Sequence, residues 1–217
     1  MNEYITTDNK CNLFHRCLNM HKILLELPYL PNVIWFRNYL KHEIILIERE
    51  ENFVKSSFRN RCEITGANGK QKLSIPIVGG RDHHQLYKNV KIDNSVPWQK
   101  IHWQSIRSAY GSTPFFEFYA ERFQPFYEKE FEFLFEFNHE LLKTVLKILK
   151  TEKAFELTSM FYKQPEGVID LRGKKEAEPL KRYYQTFEDR NGFQENLSVI
   201  DVVFNLGPQA KEYLFKK

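Results

Sequence analysis

Arg59 and Arg61 stand two residues apart in a stretch, Phe58–Thr65, that reads as a strand. Side chains of a strand repeat every second residue, so both guanidinium groups are expected on one face, about 6.5 Å apart. Each offers forked donors that match phosphate or carboxylate, and the pair suits a two-point grip on an anion. Two solvent-facing arginines on an amphipathic strand give the same pattern without a ligand. His102 lies on the apolar stripe of a helical segment, one turn after Trp98 and one turn before Ile106. Partial burial shifts an imidazole there toward a general base at neutral pH; a histidine hydrogen-bonded inside a core fits equally well. Tyr110, two turns on, either donates a hydrogen bond to a ligand or is a core ring with a wet hydroxyl. Asp201 has the chemistry of an acid, but Ser198-Val-Ile-Asp201 also has the spacing of a capping box, in which both side chains satisfy N–H groups at a helix start. Asn205, four residues on, shares the Asp201 face. His83-His84 are adjacent, so they point in different directions and lack the i, i+4 spacing of a helical metal site; no metal is expected. The chain has no Walker loop, dinucleotide glycine motif, GxSxG elbow or HExxH, which sets those enzyme classes aside and leaves no cofactor expected.

The elements that must position these groups follow from periodicity and breakers. His21–Leu27 reads as a buried strand closed by Pro28, and Pro28-Tyr-Leu-Pro31 as a stiff loop. A short helix over Val33–Leu40 and a second β-branched run, Glu43–Glu48, complete a βαβ unit with parallel strands and a right-handed crossover. Phe58–Thr65 and Lys70–Val78 flank Asn68-Gly69, a hairpin signal that favours a primed turn with positive φ at its centre. Asn89–Asp93 is a candidate short strand. The period then becomes 3.6: Asn94 or Ser95 caps, Pro97 opens the helix, Trp98, Ile101, His102, Ser105, Ile106 and Ala109 form one stripe, and Gly111 ends it. Pro114–Phe137 reads as two short helices divided by Pro125, and Asn138 as the cap of a helix facing the core through Leu141, Leu142, Val145, Leu146, Ile148 and Leu149. Phe155–Phe161 and Tyr183–Phe187 read as strands around a long loop, Lys163–Pro179. Leu197–Leu214 gives a helix, a Gly207-Pro208 break and a last short helix. The fold expected is a single α/β domain with a small mixed β-sheet, a β-hairpin and a helical second half.

At 217 residues the chain is long enough for an unstapled core, and 42% hydrophobic with 28% charged residues is a globular composition. The longest apolar runs fall short of a spanning helix. Net charge is +4, unevenly placed: Met1–Tyr110 has 16 Lys+Arg against 10 Asp+Glu, and Gly111–Lys217 has 16 against 18. A basic first half favours an anionic ligand, such as a phosphate, a nucleotide or a carboxylate, although ordinary surface scatter produces the same asymmetry. Cys11, Cys17 and Cys62 are an odd number without CxxC spacing, as expected in a reducing, cytoplasmic compartment. Residues 1–19 show neither secretory features nor strong periodicity. They are expected to be a disordered tail or an extension from an upstream start codon, with residues 20–217 forming the domain.

Several segments together resemble the WbqC-like protein family of bacteria: the opening strand with Pro28-Tyr29-Leu30-Pro31, Arg59-Asn60-Arg61, Ser74-Ile75-Pro76-Ile77, Trp98–Tyr110 with Pro114-Phe-Phe, and Asn196 to Pro208 near the C-terminus. The resemblance runs from about Met20 to the end and rests on order and spacing. It implies a place in O-antigen or other surface-polysaccharide biosynthesis and, on that reading, a group transferase for an activated sugar. Arg59, Asn60, Arg61, Asp201 and Asn205 would then hold an anionic nucleotide sugar or other phosphate-bearing substrate. His102, with Tyr110, would handle the proton. On this expectation Arg59→Ala removes ligand binding and leaves the melting temperature unchanged. A non-catalytic protein binding a nucleotide, RNA or a partner enzyme is the alternative; the rings cluster in the acidic half, which disfavours nucleic acid. The chain departs from the family at two acidic positions. Members often carry Gln where this chain has Glu26 or Leu27, and Asp-Asp where it reads Glu48-Arg49-Glu50. If the family uses those residues as metal ligands or bases, the function here is altered.

Overall fold

The computed structural model describes residues 22–79, 85–174 and 178–215. The expectations for residues 1–19, with Cys11 and Cys17, and for His83-His84 lie outside the described residues. Lys22–Leu25 (β1) is an apolar run whose side chains are almost all buried, the pattern of a parallel strand covered on both faces. The prolines at 28 and 31 bracket a turn that holds Leu30, fully buried, at φ 43°. Asn32 caps the helix Val33–Lys41 (α1), its Oδ1 accepting the Trp35 N–H at 2.9 Å. The Lys153 ammonium donates to the Leu40 carbonyl at 2.6 Å and to that of His42, placing a cation on the helix C-terminus. Ile44–Ile47 (β2) then pairs parallel to β1 in register from Lys22–Ile44 to Leu25–Ile47.

Arg61–Gly66 (β3) and Gly69–Ser74 (β4) form an antiparallel hairpin. Its turn differs from the primed form. Ala67-Asn68 occupy the tip, and the positive φ, 91°, falls on Gly69 one residue later, because Ala67 has a Cβ that resists the left-handed region. Asn89–Asp93 makes only isolated bridges, Ile77 with Ile92 and Lys91 with Phe133. The helix Trp98–Tyr110 (α2) ends at Gly111 as expected, but it starts one residue late, with Pro97 at the N-cap position, and Asn94 accepts from the Trp98 indole at 3.2 Å instead of capping. Ile101 faces solvent, outside the stripe.

Two helix expectations are corrected. Phe116–Glu128 (α3) carries Pro125 inside it as one continuous helix. The proline lies in the last turns, where it removes one backbone bond while Phe116, Phe123 and Tyr127 keep the face buried. Leu134–Ile148 (α4) begins before Asn138, because burial of Leu134, Phe135 and Phe137 extends the apolar face forward. Asn138 is therefore no cap. It is buried and donates from Nδ2 to the Arg59 carbonyl and the Tyr87 hydroxyl, each at 2.7 Å. Tyr87 in turn donates to the Leu27 carbonyl at 2.6 Å, tying α4 to the loop after β1.

Of Phe155–Phe161 only Glu156–Leu157 (β5) is strand, and Ile169–Asp170 (β6) emerges where a loop was expected. β5 pairs with β2 and β6 with β1, both parallel, giving a four-stranded sheet of order β5-β2-β1-β6 separate from the hairpin. Tyr183–Phe187 is not a strand; it leads to one helical turn, Glu188–Asn191 (α5). Val199–Leu206 (α6) and Ala210–Phe215 (α7) flank the expected break. Gly207 there has φ 53°, and a Cβ on it would lie 2.4 Å from the Phe115 ring. Among the described residues no helix is long and apolar enough to cross a membrane.

Candidate functional site

The residues singled out in the sequence fall into separate places. Arg59 precedes β3 rather than lying in it, and it turns inward, away from the part-exposed Arg61. Its Nε and Nη2 donate to Glu51 Oε1 at 2.6 Å and Oε2 at 2.7 Å, a bidentate pair buried on both sides. Burial pushes the Glu51 carboxyl up, while the same two bonds hold the guanidinium charged. Arg61 donates to Ser74 Oγ at 3.3 Å at the base of the hairpin, so the expected two-point grip from one strand face does not form. Asn60 is buried and donates to the Ile75 carbonyl at 2.9 Å.

His102 sits in the ring core. Its Nδ1 is 3.1 Å from the Tyr29 hydroxyl, which lies 2.8 Å from that of Tyr127, and its ring stacks on Tyr29 with an edge toward Trp98. Burial pulls its pKa down to about 4, so the imidazole is neutral. Tyr110 and Asp201, distant in sequence, do meet. The Tyr110 hydroxyl donates to Asp201 Oδ2 at 3.1 Å and accepts from the Thr65 N–H at 3.4 Å. Tyr183 and the Gln185 amide donate to Oδ1 of the same carboxyl. Burial nevertheless raises the Asp201 pKa to about 6, ahead of the lowering by its three donors. The capping box is thus half formed. Ser198 Oγ accepts from the Ile200 N–H at 3.5 Å, but Asp201 points into the core instead of back to the cap. Asn205 donates to the Asp201 carbonyl at 2.8 Å and accepts from Thr186. On the outer side of α2 an open hollow of about 460 Å³ is lined by Gln104, Arg107, Ser108, Gly111, Phe116 and Glu117, a set that includes none of these side chains.

A further polar constellation lies over the carboxyl ends of the parallel strands. β1 runs straight into Glu26, β2 into Glu48, β5 into Thr158, and β6 ends on Asp170 with Arg172 two residues on. Open parallel sheets place ligands there, at the point where strand order reverses, which in this sheet falls between β1 and β6. Glu48 is fully buried: Oε1 accepts from Thr158 Oγ1 at 2.6 Å and the Glu50 N–H at 2.8 Å, and Oε2 accepts from Arg172 Nη1 at 2.8 Å. Arg172 also donates to Asp170 from Nε at 3.0 Å and Nη2 at 2.8 Å. Burial works against the charges of that pair, but the bonds prevail, holding the Asp170 carboxyl below its usual range and the guanidinium above its own. Glu26 Oε2 accepts the Gly173 N–H at 2.8 Å, and both Glu26 and Glu48 act electrostatically on Glu51. Glu50 completes the rim, bonded to Arg49 at 3.0 Å and Lys88 at 2.5 Å. Among the described residues no three His, Cys, Asp or Glu side chains gather as a metal site.

Sequence reading reached Glu26, Glu48 and Glu50 only as departures from a family pattern, and missed Glu51, Thr158, Asp170 and Arg172. β5 and β6 are two residues long, too short for any periodicity. The one usable signal was a rule of position, that the residue after each parallel strand faces the ligand edge.

A family model for the WbqC-like protein family matches residues 28–180. A curated relative, "Uncharacterized protein Rv1507c" of Mycobacterium tuberculosis (strain ATCC 25618 / H37Rv), is 25% identical over 223 residues, spanning 88% of this chain and 96% of its own. No solved structure matches.

Proposed function

Since the chain belongs to the WbqC-like protein family, we propose that it serves surface-polysaccharide biosynthesis as a cytoplasmic group transferase on an anionic, activated sugar, working over the carboxyl ends of the parallel sheet. One observation carries this reading: four parallel strands deliver Glu26, Glu48, Thr158 and Asp170 to one edge, where Arg59 and Arg172 are fixed by buried carboxylates. The buried guanidinium groups hold these carboxylates in place, and carboxylates accept the hydroxyls of a sugar or take the proton of an attacking hydroxyl. Glu26 is the base in this scheme. It keeps a sliver of exposure and accepts from a neutral N–H, whereas Glu48 and Glu51 are each committed to an arginine. Arg59 joins the site through Glu51. Asn60 positions it from the base of the hairpin, and Arg61, part-exposed beside Ser74, is left to meet the anionic portion together with Arg49 and Lys88 at the rim. His102 serves by holding Tyr29 in the loop after β1, and Tyr110, Asp201 and Asn205 by tying α2 to α6. The reading of the chain as an RNA binder draws less support, since Arg59 of the basic half is committed to the buried Glu51, and Arg37, itself buried, bonds Glu178.

The test is a thermal-shift and calorimetric screen of UDP-, GDP- and dTDP-hexoses. At least one should raise the melting temperature, as a ligand selective for the folded state must. Glu26→Gln keeps an acceptor for Gly173 and should bind that ligand while losing tenfold or more in release of the nucleoside diphosphate, which leaves as the hydroxyl of an acceptor sugar, its proton taken by Glu26, bonds the anomeric carbon. A screen with no binder overturns the proposal.

A further inference from the structure

Beside the carboxyl-end site, three consecutive side chains that belong in a core stand in water: Met160 is 54% exposed, Phe161 47% and Tyr162 56%. Their segment is nonetheless pinned at both ends by the groups that build the site. Thr158, at its base, bonds Glu48 and accepts the Arg49 N–H at 3.0 Å. At its tip Arg172 Nη2 donates to the Tyr162 carbonyl at 2.8 Å, and the guanidinium lies 5.1 Å from the centre of the Phe161 ring, over its face. One buried carboxylate, Glu48, thereby fixes both the arginine and the aromatic ledge. Beside the ledge, Asp170 keeps 30% of its side chain exposed.

We infer that Phe161 and Tyr162 form the sugar subsite of this centre, taking the pyranose ring of the activated sugar against their rings while Asp170 accepts its hydroxyls. The inference rests on the proposed function and names the part of the substrate bound here. An exposed apolar patch rimmed by polar groups marks a ligand surface, and three side chains are far too little for a protein interface, which takes roughly 800 Å² per partner. The face of an aromatic ring is electronegative, so it attracts the partly positive C–H groups of a pyranose. The charges choose the sugar over the phosphate at this spot: Arg172 is already shared between Glu48 and Asp170, and Glu26, which accepts the Gly173 N–H one residue on, adds a further carboxylate. A ledge already held by Thr158 and Arg172 needs no ordering when the ring arrives, which lowers the cost of binding.

Calorimetry with UDP-, GDP- and dTDP-hexoses and the bare nucleoside diphosphates tests this on the full chain. Phe161→Leu keeps apolar bulk against Arg172 but loses the flat face, and Tyr162→Ala removes a ring that is mostly in solvent. Each should weaken the hexose nucleotide tenfold or more, leave the bare nucleoside diphosphate within twofold, and keep the melting temperature within 2 °C. Unchanged hexose affinity in both variants overturns the subsite and leaves the proposed function standing. Equal loss for the bare nucleotide also overturns it, because the rings would then stack on the base. If no hexose nucleotide binds the wild-type chain, the function and the subsite fall together.

Discussion

Two buried ionisable side chains respond to acid in opposite directions. His102 has its pKa pulled to about 4, below that of an unfolded histidine, so its contribution to stability is lost as the pH falls below about 6.5 toward 4. Asp201 has its pKa raised to about 6, above an unfolded aspartate, so the folded state takes up a proton first and gains stability as the pH falls through 6 toward 4. Between pH 7 and pH 4 the histidine costs about 3 kcal/mol and the aspartate gains about 2 kcal/mol, a near-cancellation. Asp201→Asn should therefore make acid unfolding steeper than in the wild-type chain, and His102→Gln should make it shallower, as denaturant melts at a series of pH values will show. Parallel profiles would refute both assignments. Arg59 also behaves differently from the sequence expectation. Because Arg59→Ala strands Glu51 as a buried, unpaired carboxylate, it should lower stability by about 3–5 kcal/mol in a denaturant melt, with or without ligand. A loss below 1 kcal/mol would mean that the pair is solvated in solution. Its type and neighbours, Asn60 and Arg61, were readable in the sequence; the partner that decides its role, eight residues upstream, was not.

At the scale of elements, the long periodic ones were legible and the short ones were not. The helix Trp98–Tyr110 and the parallel pair β1 and β2 could be read directly, because a buried stripe or a β-branched run bounded by proline has few other solutions. Asn138 and Pro125 misled for one reason: local cap and breaker propensities are worth about 1–3 kcal/mol, and burial of several rings outweighs them. The Gly207-Pro208 break between α6 and α7 was legible as a break, but its reason is tertiary. Gly207 takes a left-handed φ with the Phe115 ring pressed against the place of a Cβ. Gly207→Ala should cost about 2–4 kcal/mol, from backbone strain and displacement of that ring together. Thermal melts check this, and a change under 1 kcal/mol would show that Phe115 can move aside.

For the whole molecule the decisive feature is the strand order β5-β2-β1-β6. It brings Glu26, Glu48, Thr158 and Asp170 to a single edge from positions spread over more than half of the chain. The sequence by itself determined the α/β class, the βαβ start, the hairpin and the family, because these follow from local periodicity, turn chemistry and the order of segments. Only the tertiary structure decided which polar residues act together. Two-residue strands leave no periodic trace, and a side chain such as Arg59 or Asp201 is assigned by the partner that long-range packing brings to it. That packing is a sum over many weak apolar contacts, which no short window of residues contains.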